Sequence, residues 1–218
     1  MYRHAQRHFK KTDPILYKAS LEHDIPDITR SKNVFRDLVR AIVNQQLSGK
    51  AADTIFGRIE AALKKRRVAS RSGRTSFTPE RILSLSPKQI RACGLSKAKV
   101  KAIHSLARAS SKGEIDLVKI HLLDDAAIVE TLTRERGIGP WTAEMIMMFS
   151  LGRKDIFSKG DLGLQKGIMQ LYGLAGMPTN RLMDKLSRTW SPYRTYAARI
   201  LWRVADQIKV RPKGKSRA

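Results

Sequence analysis

A short glycine-containing segment is the part of the sequence whose residue types most clearly predict a binding chemistry. It runs Gly137-Ile138-Gly139-Pro140-Trp141-Thr142-Ala143 between two apolar stretches. The two glycines permit a turn tight enough for two helices to pack against each other, and Ile138 can fill the joint. Backbone N–H groups at the start of the second helix would then face outward, where a helix N-terminus attracts phosphate. The segment therefore predicts a helix–hairpin–helix that binds a phosphate backbone without recognising base sequence.

A carboxylate follows about twenty residues later, at Asp161. Asp is a favoured N-cap, so Asp161 could simply begin the helix that the sequence predicts from Leu162 to Tyr172. A fixed carboxylate can also stabilise developing positive charge or take a proton from an attacking water. Spacing alone supports the two interpretations equally.

The charge balance predicts a polyanionic partner. The 218 residues include 43 Lys and Arg against 19 Asp and Glu, a net charge of +24, in a chain that is 42% hydrophobic and so able to bury a core. Such an excess is typical of nucleic-acid binding. No apolar stretch approaches the roughly 20 residues of a membrane span, so no membrane partner is expected. The basic N-terminus has no apolar segment after it, so we do not expect secretion.

The single cysteine, Cys93, restricts the cofactors that the chain could hold. One thiol excludes an internal disulfide, a four-cysteine zinc site and a cysteine-ligated iron–sulfur cluster. The five histidines show no metal-ligand spacing.

The elements that must position these residues are predicted to be helices throughout. Phe35, Leu38, Val39, Ile42 and Val43, for example, fall on one face of an amphipathic helix. Residues suited to cap helix starts recur along the chain: Ser48, Thr78, Ser86, Ser96, Asp124, Thr179 and Ser191. No period-2 strand and no internal repeat appears. We predict an all-α fold of about ten short helices.

Three stretches are expected outside regular structure. Pro14 and Pro26 predict that the first 30 residues are irregular. The segment KKRRVASRSGRTSF, residues 64–77, predicts an exposed basic loop. The basic tail, residues 209–218, is predicted to be disordered.

The sequence resembles the helix–hairpin–helix–Asp (HhH-GPD) superfamily of DNA repair glycosylases, in which the hairpin is followed at this spacing by a catalytic aspartate. It is most similar to the alkylbase branch, the 3-methyladenine DNA glycosylase II (AlkA) type. That branch shares the block AIVNQQLS at residues 41–48 and the late block Tyr193-Arg194-Thr195-Tyr196-Ala197 followed by Trp202. The resemblance covers about residues 34–204. In two departures, Ser158-Lys159-Gly160-Asp161 stands where Pro-x-Asp-Asp is usual, and Glu135 stands where an apolar residue is usual.

The resemblance implies two helical lobes. Residues 1–33 with 152–208 would form the terminal lobe, and residues 34–151 the central lobe, with the helix–hairpin–helix at about 128–151. The larger members carry an N-terminal β domain, for which the 33 leading residues leave no room, so none is expected.

The resemblance also implies an activity, the hydrolysis of the N-glycosidic bond of alkylated purines such as 3-methyladenine and 7-methylguanine. Asp161 would be the catalytic carboxylate, stabilising an oxocarbenium-like sugar. Trp141 stands where bifunctional members have a nucleophilic lysine, and neither Lys159 nor Lys166 matches that position, so the enzyme would lack lyase activity.

The base pocket implied by the resemblance contains Trp141, Trp202 and Gln45. A methylated purine is cationic and an indole face attracts a cation, although both tryptophans could instead be ordinary core residues. Gln45 and Gln46 would face the lesion or the opposite strand, the alternative being a helix-terminal hydrogen bond. Tyr196 is expected in the core.

A base held in such a pocket must leave the duplex, so a wedge must fill the gap. The family's wedge falls in the loop Gly94-Leu95-Ser96-Lys97, which makes Leu95 and Lys97 candidates. A buried position in the core is the alternative for Leu95.

The DNA-binding hairpin would comprise Gly137, Ile138, Gly139 and Thr142. By family position, the backbone carbonyls of Thr133, Glu135 and Ile138 could hold a structural Na+ or K+, and no other cofactor is expected. Candidates for phosphate contact are the basic residues within 64–74 together with Lys97, Lys99, Lys101, Lys159 and Lys166.

The sequence thus predicts a monomer that acts on double-stranded DNA containing damaged bases, in base excision repair. It would work at the nucleoid in a bacterial cytoplasm or in a eukaryotic nucleus. Two alternatives remain open at this point. The enzyme could remove deaminated or oxidised bases, or the chain could be a non-catalytic helix–hairpin–helix DNA-binding protein in which Asp161 is only a cap.

Overall fold

The computed structural model describes residues 1–47, 49–65 and 77–210, without the side chains of residues 208–210. These residues form twelve α-helices and one short 3-10 helix and contain no strand, which confirms the all-α prediction. The helices are α1 (Tyr2–Thr12), α2 (Pro14–Leu21), α3 (Val34–Asn44), α4 (Gly49–Lys65), α5 (Pro79–Leu83), α6 (Pro87–Ala92), α7 (Lys97–Ser111), the 3-10 helix (Ile120–Leu122), α8 (Asp125–Thr133), α9 (Pro140–Phe149), α10 (Leu162–Leu171), α11 (Asn180–Trp190) and α12 (Arg194–Val210). None of the helices in the described ranges is long and apolar enough to cross a membrane.

The chain divides into two compact units. The first consists of Met1–Thr29 and the residues from Gly152 onward, and the second of Arg30–Leu151. The second unit thus begins at Arg30 rather than at residue 34 and ends at the residue expected from the sequence. Helices α1, α2 and α10 to α12 belong to the first unit, and α3 to α9 to the second.

The prediction that the first 30 residues are irregular was wrong, because α1 and α2 lie there. Pro14 is in the first turn of α2, where its missing N–H costs no helical hydrogen bond. Asp13 caps this helix by accepting a hydrogen bond from the Leu16 N–H at 3.0 Å. Pro14 therefore begins a helix instead of breaking one, and the described helices number twelve rather than about ten.

Asp13 also joins three parts of the first unit. Its Oδ2 accepts hydrogen bonds from Trp190 Nε1, at 2.7 Å, and from the hydroxyl of Tyr172, at the end of α10. Burial, and then the neighbouring Asp13 carboxylate, raise the pKa of the Tyr172 hydroxyl well above its usual range. The hydroxyl therefore remains a proton donor at physiological pH, and the network fixes the far end of α10.

The second unit buries the apolar face of α3 that the sequence predicts, including Leu38, Val39 and Ile42. The basic loop predicted at 64–77 differs at both ends: Lys64 and Lys65 complete α4, and Phe77 is buried with its ring stacked on Phe56 at a centroid distance of 5.5 Å. Residues 66–76 lie outside the described residues.

Most of the predicted caps are confirmed by side-chain hydrogen bonds at helix starts. They are Thr78, Ser86, Ser96, Asp124 and Thr179. Ser191 was wrongly assigned, because α12 begins at Arg194 and the Ser191 hydroxyl donates instead to Asp155 Oδ2 at 2.8 Å. Ser48 lies outside the described residues. The backbone of α12 continues to Val210, two residues into the predicted tail, and residues 211–218 lie outside the described part of the chain.

Candidate functional site

The hairpin joins α8 to α9 by a turn that only glycine fits. Gly137 has φ +82°, a left-handed conformation that glycine adopts without a steric cost. A Cβ atom at Gly137 would also lie 2.8 Å from the Cβ of Ala102 in α7, closer than two carbons can approach. Ile138 is buried beneath the turn, as the sequence predicts. The turn is therefore packed against α7, and both its conformation and its packing require glycine at position 137.

The first turn of α9 is the part of the hairpin whose backbone N–H groups are expected from the sequence to face a phosphate. The first N–H groups of an α-helix have no acceptor within the helix, and here the Ala143 N–H makes a bond to the Gly139 carbonyl, at 3.0 Å. Gly139 provides no side-chain cap. The Thr142 side chain is only 2% exposed, so Thr142 can reach a phosphate only through its backbone. This end of α9 suits an anion such as a phosphodiester.

Gln45 connects this hairpin to the end of α3. Its Nε2 donates hydrogen bonds to the Gly137 carbonyl at 2.8 Å and to Thr142 Oγ1 at 3.2 Å. The side chain expected in the base pocket thus takes the structural alternative, a hydrogen bond at a helix end. Gln45 supports the turn that shapes the hairpin.

Lys99 holds the same connection from α7. Its Nζ donates hydrogen bonds to the carbonyls of Val43, at 2.8 Å, and Gln45, at 2.6 Å. These carbonyls lie at the C-terminal end of α3, where a lysine ammonium is favourable. Burial lowers the pKa of the Lys99 ammonium. Lys99, expected to contact phosphate, therefore points its charge inward and positions Gln45.

The wedge candidates separate by their burial. Leu95 is 5% exposed and takes the alternative of a core residue, whereas Lys97 is exposed at the first position of α7. The structure adds Leu47, which is 40% exposed and follows Gln46, a residue with φ +55°. A non-glycine residue in this region is uncommon and often marks a functional site. Sequence reasoning missed Leu47 because neither its exposure nor the conformation of Gln46 is visible in the residue pattern.

Asp161 caps α10 in the first unit and is 9% exposed. Its Oδ1 accepts hydrogen bonds from the Leu164 N–H at 2.8 Å and from Trp202 Nε1 at 2.9 Å. Asp161 therefore does cap α10, but capping does not explain its second hydrogen bond, from the indole of Trp202. The result is a nearly buried carboxylate held at a helix N-terminus, whose dipole favours negative charge.

Two glycines of α10 allow Trp202 to approach Asp161. A Cβ at Gly163 would lie 2.9 Å from Trp202 Cδ1 and 3.0 Å from Asp161 Oδ1. A Cβ at Gly167 would lie 2.4 Å from the backbone carbonyl oxygen of Leu201 in α12. The contact between α10 and α12 thus requires glycine at both positions. Neither glycine was identified as important from the sequence.

The late block of the sequence holds the segment that leads to Asp161. Arg194 Nε donates to Asp155 Oδ1 at 2.8 Å, and Thr195 Oγ1 donates to the Arg153 carbonyl at 2.8 Å and accepts from the Ile156 N–H at 3.0 Å. Burial alone would raise the pKa of Asp155, but the hydrogen bonds from Arg194 and Ser191 outweigh it, and the pKa lies below its usual value of 3.8. The block therefore acts as a support.

The remaining predicted residues are placed as follows. Trp141 is 41% exposed in the first turn of α9, Trp202 is half-buried in the first unit, and Tyr196 is in the core as expected. Lys159 pairs with Asp184 at 2.9 Å, and Lys166 is exposed. The structure brings Asp161 together with Trp202, and Gln45 together with the hairpin.

Of the three hairpin carbonyls expected to hold a monovalent cation, that of Glu135 also takes part in the turn. The Glu135 carbonyl accepts the Ile138 N–H at 3.1 Å, which leaves it a second lone pair. The Glu135 side chain, which stands where an apolar residue is usual, accepts a hydrogen bond from the Ser105 hydroxyl at 3.1 Å. Within the described residues, no group of three His, Cys, Asp or Glu side chains could hold a metal ion.

Comparisons with known sequences agree with this geometry. The model of the HhH-GPD superfamily of base excision DNA repair proteins matches residues 39–192. The chain is 37% identical over 187 residues to DNA-3-methyladenine glycosylase 1 of Schizosaccharomyces pombe, covering 84% of this chain and 78% of that protein.

Two solved structures are also similar over most of their length. A DNA-3-methyladenine glycosidase from Bacillus halodurans has a TM-score of 0.77 and 34% identity, covering 93% of this chain and 88% of that one. The 3-methyladenine DNA glycosylase of Schizosaccharomyces pombe in complex with abasic DNA has a TM-score of 0.76 and 33% identity, covering 91% and 95%. On motif, fold and sequence alike, the chain belongs to the HhH-GPD superfamily of base excision DNA repair proteins.

Proposed function

We propose that this protein is a monofunctional DNA glycosylase of the 3-methyladenine DNA glycosylase II type, which hydrolyses the N-glycosidic bond of alkylated purines. The observation that carries the proposal is the Asp161 carboxylate, which is nearly buried at the N-terminus of α10. Its Oδ1 accepts hydrogen bonds both from the capping N–H of Leu164 and from the indole of Trp202. The names of the similar proteins, which are 3-methyladenine glycosylases, support the same substrate class.

Asp161 would act by electrostatics. Breaking the bond between sugar and base leaves positive charge on the deoxyribose, and a fixed anion lowers the energy of that state. The Leu164 N–H and Trp202 Nε1 hold Oδ1 in place before substrate arrives, so little reorganisation is needed. The same carboxylate can orient the attacking water or take its proton.

The aromatic side chains suit a cationic base. Methylation of a ring nitrogen gives the purine a positive charge, which an indole face attracts by about 0.5–2 kcal/mol. Trp202, which is hydrogen-bonded to Asp161, is only partly buried and has surface that could meet such a base. The positive charge also makes the base a good leaving group, which is consistent with a site that provides one carboxylate.

The products would be a free base and an intact abasic strand. Schiff-base formation requires an amine, and the position of the nucleophilic lysine is occupied by Trp141. The enzyme would act as a monomer on damaged duplex DNA, with the N-terminus of α9 bound to phosphate and Leu47 or Lys97 as the wedge. Na+ or K+ at the carbonyls of Thr133, Glu135 and Ile138 would bring positive charge near that phosphate.

The decisive experiment compares wild type with Asp161→Asn on a methylated duplex. Asn is as good an N-cap as Asp, so the variant removes the charge and retains the cap. We expect wild type to release 3-methyladenine or 7-methylguanine, and the variant to be at least roughly 100-fold slower, with unchanged affinity for undamaged duplex. Single-turnover base release and the Kd are the measurements.

Each other outcome contradicts a defined part of the proposal. Equal release by both proteins would reduce Asp161 to a cap. Release of deaminated or oxidised bases alone would change the substrate class, and DNA binding without any release would make the chain a non-catalytic binding protein. Strand cleavage before alkali treatment would contradict monofunctional action.

A further inference from the structure

One face of α7 presents a row of basic side chains, of which the proposed function uses only Lys97, as a wedge candidate. Lys97, Lys101, Arg108 and Lys112 form this row, which we call the α7 basic row. At 100° per residue, their spacings place them within about 60° of one another around the helix axis. All four are exposed, whereas His104, which falls on the same face, is only 7% exposed and does not interrupt the surface charge.

Little negative charge offsets the row. Lys101, Arg108, Lys112 and Arg136 line a cavity of about 590 Å³. Its two acidic side chains are Glu135, which accepts a hydrogen bond from Ser105, and Glu114, which lies 3.7 Å from Lys112 in an exposed pair of the kind that contributes little.

The other charges of this surface are not neutralised by ion pairs. Within the described residues, no ion pair is made by Lys97, Lys101, Arg108 or Arg136. A second cavity, of about 500 Å³, is lined by Lys97, Lys101 and Arg136, so the charge continues towards the start of α7. Such a continuous and largely unpaired positive surface suits a polyanion.

The row is continuous with the phosphate site of the hairpin. Gly137 packs directly on Ala102, the neighbour of Lys101, because a Cβ at Gly137 would lie 2.8 Å from Ala102 Cβ. Arg136 immediately precedes Gly137 and lines both cavities. A strand whose phosphate is bound at the N-terminus of α9 therefore meets positive charge on the adjoining surface of α7.

The length of the row matches several phosphates. From Lys97 to Lys112, the C-cap residue of α7, the backbone rises about 22 Å, at 1.5 Å per residue. One strand of B-DNA carries a phosphate every 3.4 Å of helix axis, so the row is as long as about six phosphates of one strand. A single bound phosphate or a small anion would not need this length.

We propose that the α7 basic row and Arg136 form a second contact for duplex DNA, which holds the phosphates of the flanking duplex on one side of the hairpin site. The proposal rests on the proposed function only in taking duplex DNA as the ligand. The contact is independent of sequence and of damage, so it contributes equally to undamaged DNA and gives the binding constant a steep salt dependence.

The competing explanation is purely structural, because cations near the C-terminus of α7 also favour the helix dipole. This explanation applies to Arg108 and Lys112, and it predicts a loss of stability without a specific loss of DNA binding. A test must therefore separate charge on this face from charge in general and from folding.

The test uses a triple variant, Lys101→Gln with Arg108→Gln and Lys112→Gln, which omits Lys97 because Lys97 is a wedge candidate. The matched control is Arg3→Gln with Arg7→Gln and Lys11→Gln, three exposed basic residues at four-residue spacing on α1. Both variants lose three positive charges. The affinity for an undamaged 20-base-pair duplex is measured from 50 to 200 mM salt, and thermal unfolding is measured alongside.

We expect the slope of log K against log salt to fall by about 0.9 for each lost phosphate contact, and so by up to about 2.7 in the α7 variant and far less in the control. A second readout uses two duplexes that carry a methylated base near one end or near the other. Only the duplex whose longer arm extends along α7 should show a lower salt slope in the α7 variant than in the control variant. Equal slopes in the two variants, or a slope unchanged from wild type in the α7 variant, would overturn the proposal, whatever happens to stability.

Failure here is distinguishable from failure of the proposed function. The affinities and their salt slopes are measured on undamaged duplex, from which no base is released, so they do not depend on whether the protein has glycosylase activity. A wild type that releases no base would refute the glycosylase function and still leave the slopes interpretable.

Discussion

In the proposed function, the hairpin of the second unit and the Asp161 corner of the first would use different kinds of chemistry. At the hairpin the proposed phosphate-binding groups are backbone N–H groups, and the side chains of Ile138 and Thr142 are buried. At the corner the proposed chemistry depends on one side-chain carboxylate, which accepts hydrogen bonds from one backbone N–H and one indole. The first site should therefore be sensitive to the shape of a turn, and the second to the identity of a functional group. Substitutions that change shape alone can separate them.

The largest effect is expected from Gly167→Ala, which alters the support of the Asp161 corner without changing any functional group. The new Cβ would lie 2.4 Å from the Leu201 carbonyl oxygen, and a backbone atom cannot rotate away. We expect a loss of about 3 kcal/mol in the free energy of unfolding, at the upper end of the range for overpacking. Base release should fall as Trp202 is displaced from Asp161, while binding of undamaged duplex is retained.

Denaturant unfolding and single-turnover kinetics measure these effects. Gly176→Ala is the control, because a Cβ at exposed Gly176 meets no atom within 4 Å. A Gly167→Ala protein as stable and active as this control would show that the approach of α10 to α12 does not matter for Asp161.

A smaller effect, with the opposite pattern, is expected from Gly137→Ala. A left-handed φ costs a non-glycine residue roughly 1–2 kcal/mol, and the Cβ would also meet Ala102 Cβ. We expect a loss of about 2 kcal/mol in stability and, if about 1.4 kcal/mol of phosphate binding is lost, a tenfold weaker Kd for undamaged duplex. Base release at saturating enzyme should change little.

Gly139→Ala provides the comparison, because Gly139 has φ −96° and open space around its Cβ position. Its stability should remain within about 0.5 kcal/mol of wild type. If Gly137→Ala slowed the chemical step at saturation as much as it weakened binding, the separation of the two sites would be refuted.

The smallest effect concerns Asp155, whose folded pKa lies below its usual value. Such a group contributes stability above pH about 4, and the contribution is lost as the pH falls through the folded pKa. Because Asp155 and Arg194 are partly exposed, Asp155→Asn should cost about 1 kcal/mol or less at pH 7. The difference from wild type should shrink below pH 4.

Thermal unfolding between pH 3 and 7 follows this difference. Asp184→Asn, which removes a more exposed pair with Lys159, is the control and should have a smaller effect at every pH. A wild-type advantage that grew below pH 4 would contradict the sign of the pKa shift.

The sequence predicts local features of this molecule well. Caps such as Ser96 and Asp161, the glycine turn and the buried Ile138 depend on residues within one turn of each other, and all are present. Pro14 shows the limit of such rules, because the same residue can break a helix or begin one, and Asp13 decides which.

Long-range features could not be predicted in this way. The Gln45 amide could face a ligand or a carbonyl, and the choice depends on a hairpin 92 residues away. Lys99 is indistinguishable in the sequence from its neighbours Lys97 and Lys101, and only the position of α3 turns its charge inward. Gly163 and Gly167 matter because of α12, which no local pattern contains.

The position of Gln45 makes the hairpin part of a larger cooperative unit. Its side chain is hydrogen-bonded to the turn and to α9, and its carbonyl accepts a hydrogen bond from Lys99 of α7. The hairpin therefore cannot open locally without breaking contacts at the ends of α3, α7 and α9. Regions linked in this way exchange their amide hydrogens together, with one opening free energy. A phosphate that orders the start of α9 would therefore also slow exchange at the end of α3, although it touches no atom there.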